Sequence, residues 1–324
     1  MPLAPISQKW LSDRAILFVH GIGNAKPGDC DALINLVKQG LGDQADKFAY
    51  YSLYYDAIND WVAEKSQLAG QIGKIVALIK GKAGNDKLAE VMAEFGGDII
   101  WPVLLKPARD AIREKYLEQL KQIQMDGINA GVMATKQKIS IICHSLGCFH
   151  TYEAIHYAVN HPEHNLTPAT DGFRFANIIY MASPVQLIRT IAYELGMMVP
   201  DGLATMDPVG LYCPWETGLD QKKVYSVKKW VSISGDLDPV AGFLFHKKMN
   251  WAYMNVPAQN GFDGQEPIID KQTWLNISTE EALMKALLAA LDPNSPPDIK
   301  INNPHSWEGY VKHHQEGLKK WLSA

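Results

Sequence analysis

Cysteine is scarce in this sequence. The 324 residues include four cysteines, namely Cys30, Cys143, Cys148 and Cys213. No two of them form a Cys-x-x-Cys pair, and the histidine-rich stretch 156–164 matches no metal-ligand spacing, so a disulfide scaffold and a structural zinc site are both excluded. We therefore expect reduced thiols, a solvated loop near residue 160, no metal ion and no cofactor.

Long apolar runs are lacking as well. No stretch reaches the roughly 18 apolar residues that a membrane-spanning helix requires. The sequence begins MPLAPISQKWLSDR, which contains no apolar core of signal-peptide length. We expect a cytoplasmic protein without a transmembrane segment.

The chain has no large excess of charge of one sign. Its 31 basic and 35 acidic residues give a formal net charge of −4, which lacks the basic footprint of a nucleic-acid-binding protein. Hydrophobic residues make up 47% of the chain, enough for a sizeable core. We find no internal repeat and no linker between two halves, so residues 1–324 are predicted to form a single domain.

Short apolar runs separated by helical stretches are the main organising signal. They lie at Ala15–Val19, Phe48–Tyr55, Lys138–Cys143, Ala176–Ala182, Lys229–Ser234 and Ile299–Asn302. Runs that are apolar on both faces suit strands that are covered by helices on each side of a parallel sheet. The pattern therefore predicts the α/β class, with a mostly parallel sheet and helices on both faces.

One connection is much longer than a single crossover helix. Between about 56 and 137, apolar residues recur at helical spacing, and the last such stripe comprises Ile112, Tyr116, Leu120 and Ile123. This predicts a helical insertion, which either acts as a cap over a site or enlarges the core. The connections at 184–228 and 242–298 are expected to form pocket walls.

Ser145 lies at a predicted strand-to-helix turn, in the segment CHSLG at 143–147. Serine between small residues on such a turn is the nucleophile-elbow pattern, in which larger side chains two positions away would collide with backbone. Gly147 meets this requirement, and Cys143 stands where glycine is usual. The turn would aim the amide of Leu146 at an anion beside the serine. The alternative is a serine that only caps the helix.

The first predicted strand ends in His20-Gly21-Ile22-Gly23. In an elbow-type hydrolase the corresponding loop supplies the second oxyanion donor, and glycines there allow close backbone approach. We assign the oxyanion hole to the amides of Ile22 and Leu146. The alternative is a glycine turn near a phosphate-binding helix. The residues expected to line the substrate site are His20, Gly21, Gly23 and His144.

A serine nucleophile needs a base and an orienting carboxylate, which in this fold class follow the serine in the order acid, then histidine. The segment SGDLDPV at 234–240 follows a predicted strand and offers Asp238, our choice, or Asp236. Either aspartate could instead cap its own loop. His305 follows the last predicted strand and is our choice of base, in preference to His246, which has no strand before it.

These segments together resemble the α/β-hydrolases, in the serine lipase and esterase branch. The similarity lies in FVHGIGN (18–24), CHSLG (143–147), GDLDPV (235–240) and NPHSWEGY (303–310). It implies a site at the carboxyl ends of the strands. The chain departs from the family in Cys143, in the length of the 56–137 insertion and in lacking the two strands that often begin the fold.

We expect a serine hydrolase that cleaves carboxylic esters of small molecules or lipids through an acyl-enzyme. Ser145 would attack the carbonyl, His305 would take its proton, and Asp238 would orient the imidazole. Two alternatives remain at this point. One is an acyltransferase or thioesterase that uses the same triad, and the other is a hydrolase-like scaffold that binds a lipid or a protein without catalysis.

Overall fold

The structure is a computed structural model that describes residues 5–21, 28–55, 106–185, 215–217, 223–225, 227–233, 251–255, 307–313 and 315–323. Its strands are β1 (Arg14–Val19), β2 (Phe48–Leu53), β3 (Lys138–His144), β4 (Phe175–Met181), β5 (Trp215–Thr217), β6 (Lys223–Tyr225), β7 (Val227–Ile233) and β8 (Trp251–Asn255). Its α-helices are α1 (Asp31–Leu41), α2 (Lys106–Asn129), α3 (Leu146–Asn160), α4 (Trp307–His313) and α5 (Gln315–Ser323).

Six of the strands form one sheet in the order β2-β1-β3-β4-β7-β8. The first five are parallel, and β8 pairs antiparallel with β7 at the edge. The register aligns the parallel strands in one row, which runs through Leu53, Val19, Cys143, Tyr180 and Ser232. The carboxyl ends of all five parallel strands are therefore level. The strands β5 and β6 form a separate antiparallel pair.

Alternate residues of β1 face opposite layers of the protein. Leu17 points into the core cluster that includes Ile112 of α2 and Phe149 of α3. Phe18 points the other way, into the cluster that includes Leu33 of α1 and Leu318 of α5. The sheet is thus covered on both faces, which explains why the central strands are mostly apolar on both faces.

The segment before β1 is tied to α2 by a buried carboxylate. Asp126 accepts hydrogen bonds of 2.7–2.9 Å from four donors on three elements. These are the Ser7 hydroxyl, the Gln8 amide, the Tyr51 hydroxyl and the Gln122 side-chain amide. A buried charge needs such partners, because an unpaired one is costly.

A second side chain of α2, that of Gln119, also holds the segment before β1. The Gln119 side chain accepts from the backbone amide of Ile6 at 2.8 Å and donates to its carbonyl at 2.9 Å. Nearer to β1, the Trp10 indole donates to the Tyr51 hydroxyl at 2.7 Å. The amino end of the sheet is consequently fastened through side chains.

The α/β class and five of the six predicted strands are confirmed, with boundaries within two residues at each strand end. The predicted sixth strand, Ile299–Asn302, lies outside the described residues. Three strands were not predicted, because β5, β6 and β8 fall in the stretches 184–228 and 242–298 that the sequence analysis treats as connections.

The last part of the long insertion is described, and it covers the sheet. The predicted apolar stripe of α2, which includes Ile112 and Ile123, is fully buried in the core cluster. A cap formed by the residues before 106 stays a prediction. Within the described ranges no helix is both long enough and apolar enough to cross a membrane.

Candidate active site

The turn at Ser145 has an uncommon backbone conformation. The strand β3 ends at His144 and α3 begins at Leu146, so Ser145 alone joins them, with φ +49° and ψ −127°. A positive φ is uncommon for a residue with a Cβ and costs about 1–3 kcal/mol. The amide of Ser145 donates to the Met181 carbonyl at 2.8 Å, and its carbonyl accepts from the Cys148 amide at 2.9 Å. These backbone bonds hold the turn.

The side chain of Ser145 does not cap the helix. Ser145 is the N-cap residue of α3, yet it makes no side-chain hydrogen bond to the first turn. A capping serine normally accepts a bond from the second or third helical amide. Helix capping therefore does not explain the serine, which stands half-buried at the carboxyl end of the sheet.

Gly147 lies where only glycine fits. A Cβ at this position would lie 2.2 Å from the His20 carbonyl oxygen and 2.5 Å from that of Val19. Both are backbone atoms at the end of β1 and cannot swing aside as a side chain could. The first turn of α3 therefore packs directly against the end of β1, in agreement with the small residue that the elbow pattern requires there.

The loop after β1 also meets the Ser145 turn. A Cβ on Gly21 would lie 2.8 Å from the Cβ of Ser145 and 3.2 Å from the carbonyl oxygen of His144. The structure thus brings His20 and Gly21 next to the serine. Ile22 and Gly23, the other residues assigned to this loop, lie outside the described residues.

The helix α3 presents its positive end to this turn. Leu146 is its first residue, and the side chain is buried beneath the turn. The amides of a helix's first turn have no acceptor within the helix, and they carry the positive end of its dipole. An anion formed beside Ser145 would therefore meet a favourable field at Leu146.

Two buried thiols flank the serine in sequence. The Cys143 thiol contacts the Ile179 carbonyl at 3.6 Å, and the Cys148 thiol contacts that of Met181 at the same distance. Burial raises the pKa of Cys143 well above the usual value, so the residue stays a thiol. Cys143 thus fills the position before the elbow as a small apolar side chain.

His20 and Tyr55 form a stacked pair behind the loop. Their rings lie 4.4 Å apart between centroids and nearly parallel, at 8°. The Tyr55 ring also meets His150 edge-on, with centroids 4.8 Å apart. Burial lowers the pKa of His20 to about 4 and that of His150 to about 3, so both rings are neutral at pH 7.

The terminal helices begin beside the same turn. Trp307, the first residue of α4, stacks on His144 with ring centroids 5.9 Å apart and an interplanar angle of 15°. Its ring also contacts Phe18 of β1, at 6.1 Å between centroids. The start of α4 is therefore anchored at the carboxyl end of the sheet.

Of the predicted triad, the described residues include Ser145. Asp238, its alternative Asp236, and His305 lie outside them. After Ile233, the last residue of β7, the structure describes only β8 (Trp251–Asn255) before the terminal helices begin at Trp307. The roles of the acid and the base therefore stay predictions.

The histidine-rich stretch at 156–164 makes aromatic contacts. His161 stacks on Tyr157 with centroids 3.8 Å apart, and His156 stacks on Tyr152. No cluster of three or more His, Cys, Asp or Glu side chains able to hold a metal ion occurs in the part of the chain that the structure describes.

The described residues place the chain in the α/β class, with a strained serine at the level carboxyl ends of a parallel sheet. Comparison of the chain with protein-family models, with curated proteins and with solved structures finds no significant match in any of the three. A function for this chain therefore has to be inferred from the geometry of its site.

Two residues at the site were not foreseen. Tyr55 was predicted only as part of a strand, and Trp307 only as part of the segment that carries the base. No sequence signal singles out Tyr55, because the predicted strand runs through it, and its position two residues beyond the end of β2 is known only from the structure. An apolar-run analysis does not distinguish it from its neighbour Tyr54.

Proposed function

We propose that the protein is a serine hydrolase that cleaves carboxylic esters through an acyl-enzyme on Ser145. The observation that carries the proposal is the Ser145 turn itself. A non-glycine residue is held at φ +49° although its side chain caps nothing. Ala182, after β4, shares a positive φ but has no nucleophilic group. Backbone strain of this kind clusters at functional sites, and at Ser145 it places a hydroxyl at the level strand ends.

The arrangement of the sheet supports an α/β-hydrolase fold. The order β2-β1-β3-β4-β7 puts β3, which leads into Ser145, at the centre of the parallel strands. The loop that contains His20 and Gly21 follows β1, on one side of it. The site thus lies at the carboxyl ends of parallel strands, where ligands bind in open α/β sheets. The resemblance of the four short segments to serine lipases and esterases agrees with this arrangement.

Chain lengths support the remaining triad assignments. Asp238 lies five positions after Ile233, whose carbonyl accepts from the Ala182 amide at the carboxyl edge. His305 lies two positions before Trp307, which stacks on His144. Two residues span at most about 7 Å, so the anchor at Trp307 is compatible with a base at His305 that reaches the serine turn.

The proposed reaction has two steps. In the first, His305 takes the proton of Ser145 as the hydroxyl oxygen attacks the ester carbonyl, and the same proton then goes to the departing alcohol. In the second, water attacks the acyl-serine, its proton passes through His305 back to Ser145, and the carboxylic acid leaves. Asp238 holds the imidazole in the productive tautomer, and the amides of Ile22 and Leu146 stabilise each oxyanion.

The test is covalent labelling by a small alkyl fluorophosphonate, measured by intact mass and peptide mapping. We expect one adduct on Ser145 in the wild-type protein and none in Ser145→Ala. Ser183→Ala is the matched control, since Ser183 also follows a strand at the carboxyl edge, and it should label like the wild type. No adduct on the folded wild type, or an adduct on Ser183, would contradict the proposal.

The same assay tests the acid and the base. His305→Ala and Asp238→Ala should label roughly 10²–10⁴-fold more slowly, because general-base assistance is lost. His246→Ala and Asp236→Ala are their matched controls and should label at the wild-type rate. Slow labelling of a control together with normal labelling of its partner would reassign the role.

A further inference from the structure

Tyr55 reaches the backbone of the loop beside Ser145. Its hydroxyl oxygen lies 2.9 Å from the carbonyl oxygen of His20 and 2.8 Å from that of Gly21. These two carbonyls belong to consecutive residues, and Gly21 is the one that faces the Cβ of Ser145. One side chain, two residues beyond β2, therefore contacts the part of the loop that touches the serine.

The donors and acceptors can be assigned. A tyrosine has one hydroxyl proton, so it donates to one carbonyl at a time. His20 is neutral, and its Nδ1 lies 2.6 Å from the Gly21 carbonyl oxygen, which assigns the ring proton to Nδ1. Because the Gly21 carbonyl accepts from the His20 ring, the Tyr55 hydroxyl donates its proton to the His20 carbonyl. Each of the two carbonyls then has a donor.

The two donors are held rigidly. Tyr55 is fully buried, with its ring face against His20 and its ring in edge contact with His150. A phenol packed on two sides cannot move away from the loop without disturbing both histidines. The hydrogen bonds from these two rigid donors therefore fix the orientation of the peptide groups that carry the His20 and Gly21 carbonyls.

Fixing these carbonyls also fixes amides. In a planar trans peptide the C=O and N–H bonds point in opposite directions. A His20 carbonyl held on Tyr55 thus sets the direction of the Gly21 amide, and a Gly21 carbonyl held on His20 sets that of the amide that follows. That following amide is the one assigned to the oxyanion hole, and Tyr55 holds the peptide group directly before it, so the loop keeps its orientation only if both bonds are made.

We propose that Tyr55, acting with His20, is a positioning residue that orients the oxyanion loop. The inference rests on the proposed hydrolase function of Ser145. Tyr55 does not touch the reacting atoms. Its contribution appears when the oxyanion forms, because the loop amide binds that charge and binds the neutral ester weakly.

Tyr55→Phe is the sharpest test, because it keeps both ring contacts and removes only the hydroxyl. With a p-nitrophenyl ester as substrate, we expect kcat to fall about 10²-fold, the effect typical of a small misplacement in an active site, while KM stays unchanged. The affinity for an alkyl trifluoromethyl ketone, which forms a tetrahedral oxyanion on the serine, should fall by the same factor.

Tyr50→Phe is the matched control. Tyr50 lies in β2, five residues before Tyr55, and its hydroxyl likewise donates to a backbone carbonyl, that of Ala45 at 2.8 Å. That bond lies away from the site, so kcat, KM and ketone affinity should remain at wild-type values. If kcat and ketone affinity fell as much in Tyr50→Phe as in Tyr55→Phe, the loss of a tyrosine hydroxyl would be lowering activity by disturbing the fold.

A pair of His20 variants keeps the test decisive if Tyr55→Phe does not fold. The side-chain amide of His20→Asn can still donate to the Gly21 carbonyl, whereas His20→Leu cannot. We expect ketone affinity to be largely retained in the first variant and lost in the second. Equal affinity in both would overturn the inference.

The outcomes separate this inference from the proposed function. Absence of fluorophosphonate labelling in the wild type would remove the hydrolase and the inference together. Normal labelling of the wild type, with kcat and ketone affinity unchanged in Tyr55→Phe, would remove the inference alone. A fall in kcat without a fall in ketone affinity would show that Tyr55 does not act through the oxyanion.

Discussion

At the carboxyl end of the sheet neighbouring elements touch through backbone atoms, whereas at the amino end they are joined by side chains. Gly147 and Gly21 allow the first kind of contact, with no room for a Cβ. Asp126 and Gln119 provide the second kind, through hydrogen bonds to the segment before β1.

The difference shows where the chain requires precision and where it requires only attachment. Backbone contacts leave no freedom to adjust, so they fix a turn to a fraction of an ångström. Side-chain bonds can shift slightly and still form. We therefore expect changes at the carboxyl end to reduce reactivity most, and changes at the amino end to reduce stability most.

The largest effect is expected from Gly147→Ala. Its Cβ would lie 2.2 Å from the carbonyl oxygen of His20, so β1 and α3 must separate. We expect the protein to unfold or, where it folds, Ser145 to label with fluorophosphonate at least about 100-fold more slowly.

The control for this change is Gly40→Ala in α1, where the new Cβ meets Gln315 at an ordinary 3.5 Å. It should label normally and gain about 0.5–1 kcal/mol in free energy of unfolding, because alanine favours a helix over glycine. Labelling of folded Gly147→Ala at the wild-type rate would mean that the backbone contact is not needed for reactivity.

Asp126→Ala should reduce stability without changing the reactivity of Ser145. The change leaves four donors without their acceptor, and we expect the free energy of unfolding to fall by about 3 kcal/mol in urea titrations. The labelling rate per folded molecule should not change, since Ser145 lies at the other end of the sheet.

Asp171→Ala is the matched control for that loss. Its carboxylate pairs with Lys228 at 2.9 Å on the surface, where both side chains are exposed, and accepts one weak bond of 3.3 Å from the Phe173 amide. Exposed pairs contribute little, so the cost should stay below about 1 kcal/mol. If the two alanine variants lost equal stability, the buried carboxylate would not be the fastening that we describe.

A graded loss of stability is expected from mild acid. In the folded protein the pKa of His20 is about 4 and that of His150 about 3, both below the ordinary 6.5. The unfolded chain therefore binds protons first, and the free energy of unfolding should decrease as pH falls below about 6.5, by up to about 1.4 kcal/mol per pH unit for each histidine.

His150→Phe isolates one of these two contributions. Phenylalanine keeps a ring against Tyr55 and Phe149 but cannot bind a proton. The slope of unfolding free energy between pH 6.5 and pH 5 should be shallower in the variant than in the wild type. Equal slopes would show that the buried His150 ring does not resist protonation.

The central strands of the sheet were predictable because burial on both faces requires a continuous run of apolar residues, which is visible in the sequence. Runs such as Ala15–Val19 have no polar residue, and only a covered strand tolerates that. The strands β5 and β6 have three residues each, too few to show a period, and β8 lies at an edge where that pattern is weaker.

The site was predictable as far as its chemistry is local. Ser145 and Gly147 lie within three residues of each other, so a short motif contains both. The contact between Gly147 and His20 joins residues that are far apart in the chain, and no pattern in either segment states its distance. Tyr55 is harder still, because its role depends on which carbonyls its hydroxyl meets.

The attachment of the segment before β1 has a consequence for the order of folding. Its bonds to Gln119 and Asp126 close loops of 113 to 119 residues. β1 itself pairs with β2 and with the distant β3, so the centre of the sheet cannot form until residue 144 has left the ribosome. Loops of this length close slowly. The segment before β1 is therefore synthesised well before its partners in α2 and is attached late, and β1 must wait for β3 although β2 has already emerged.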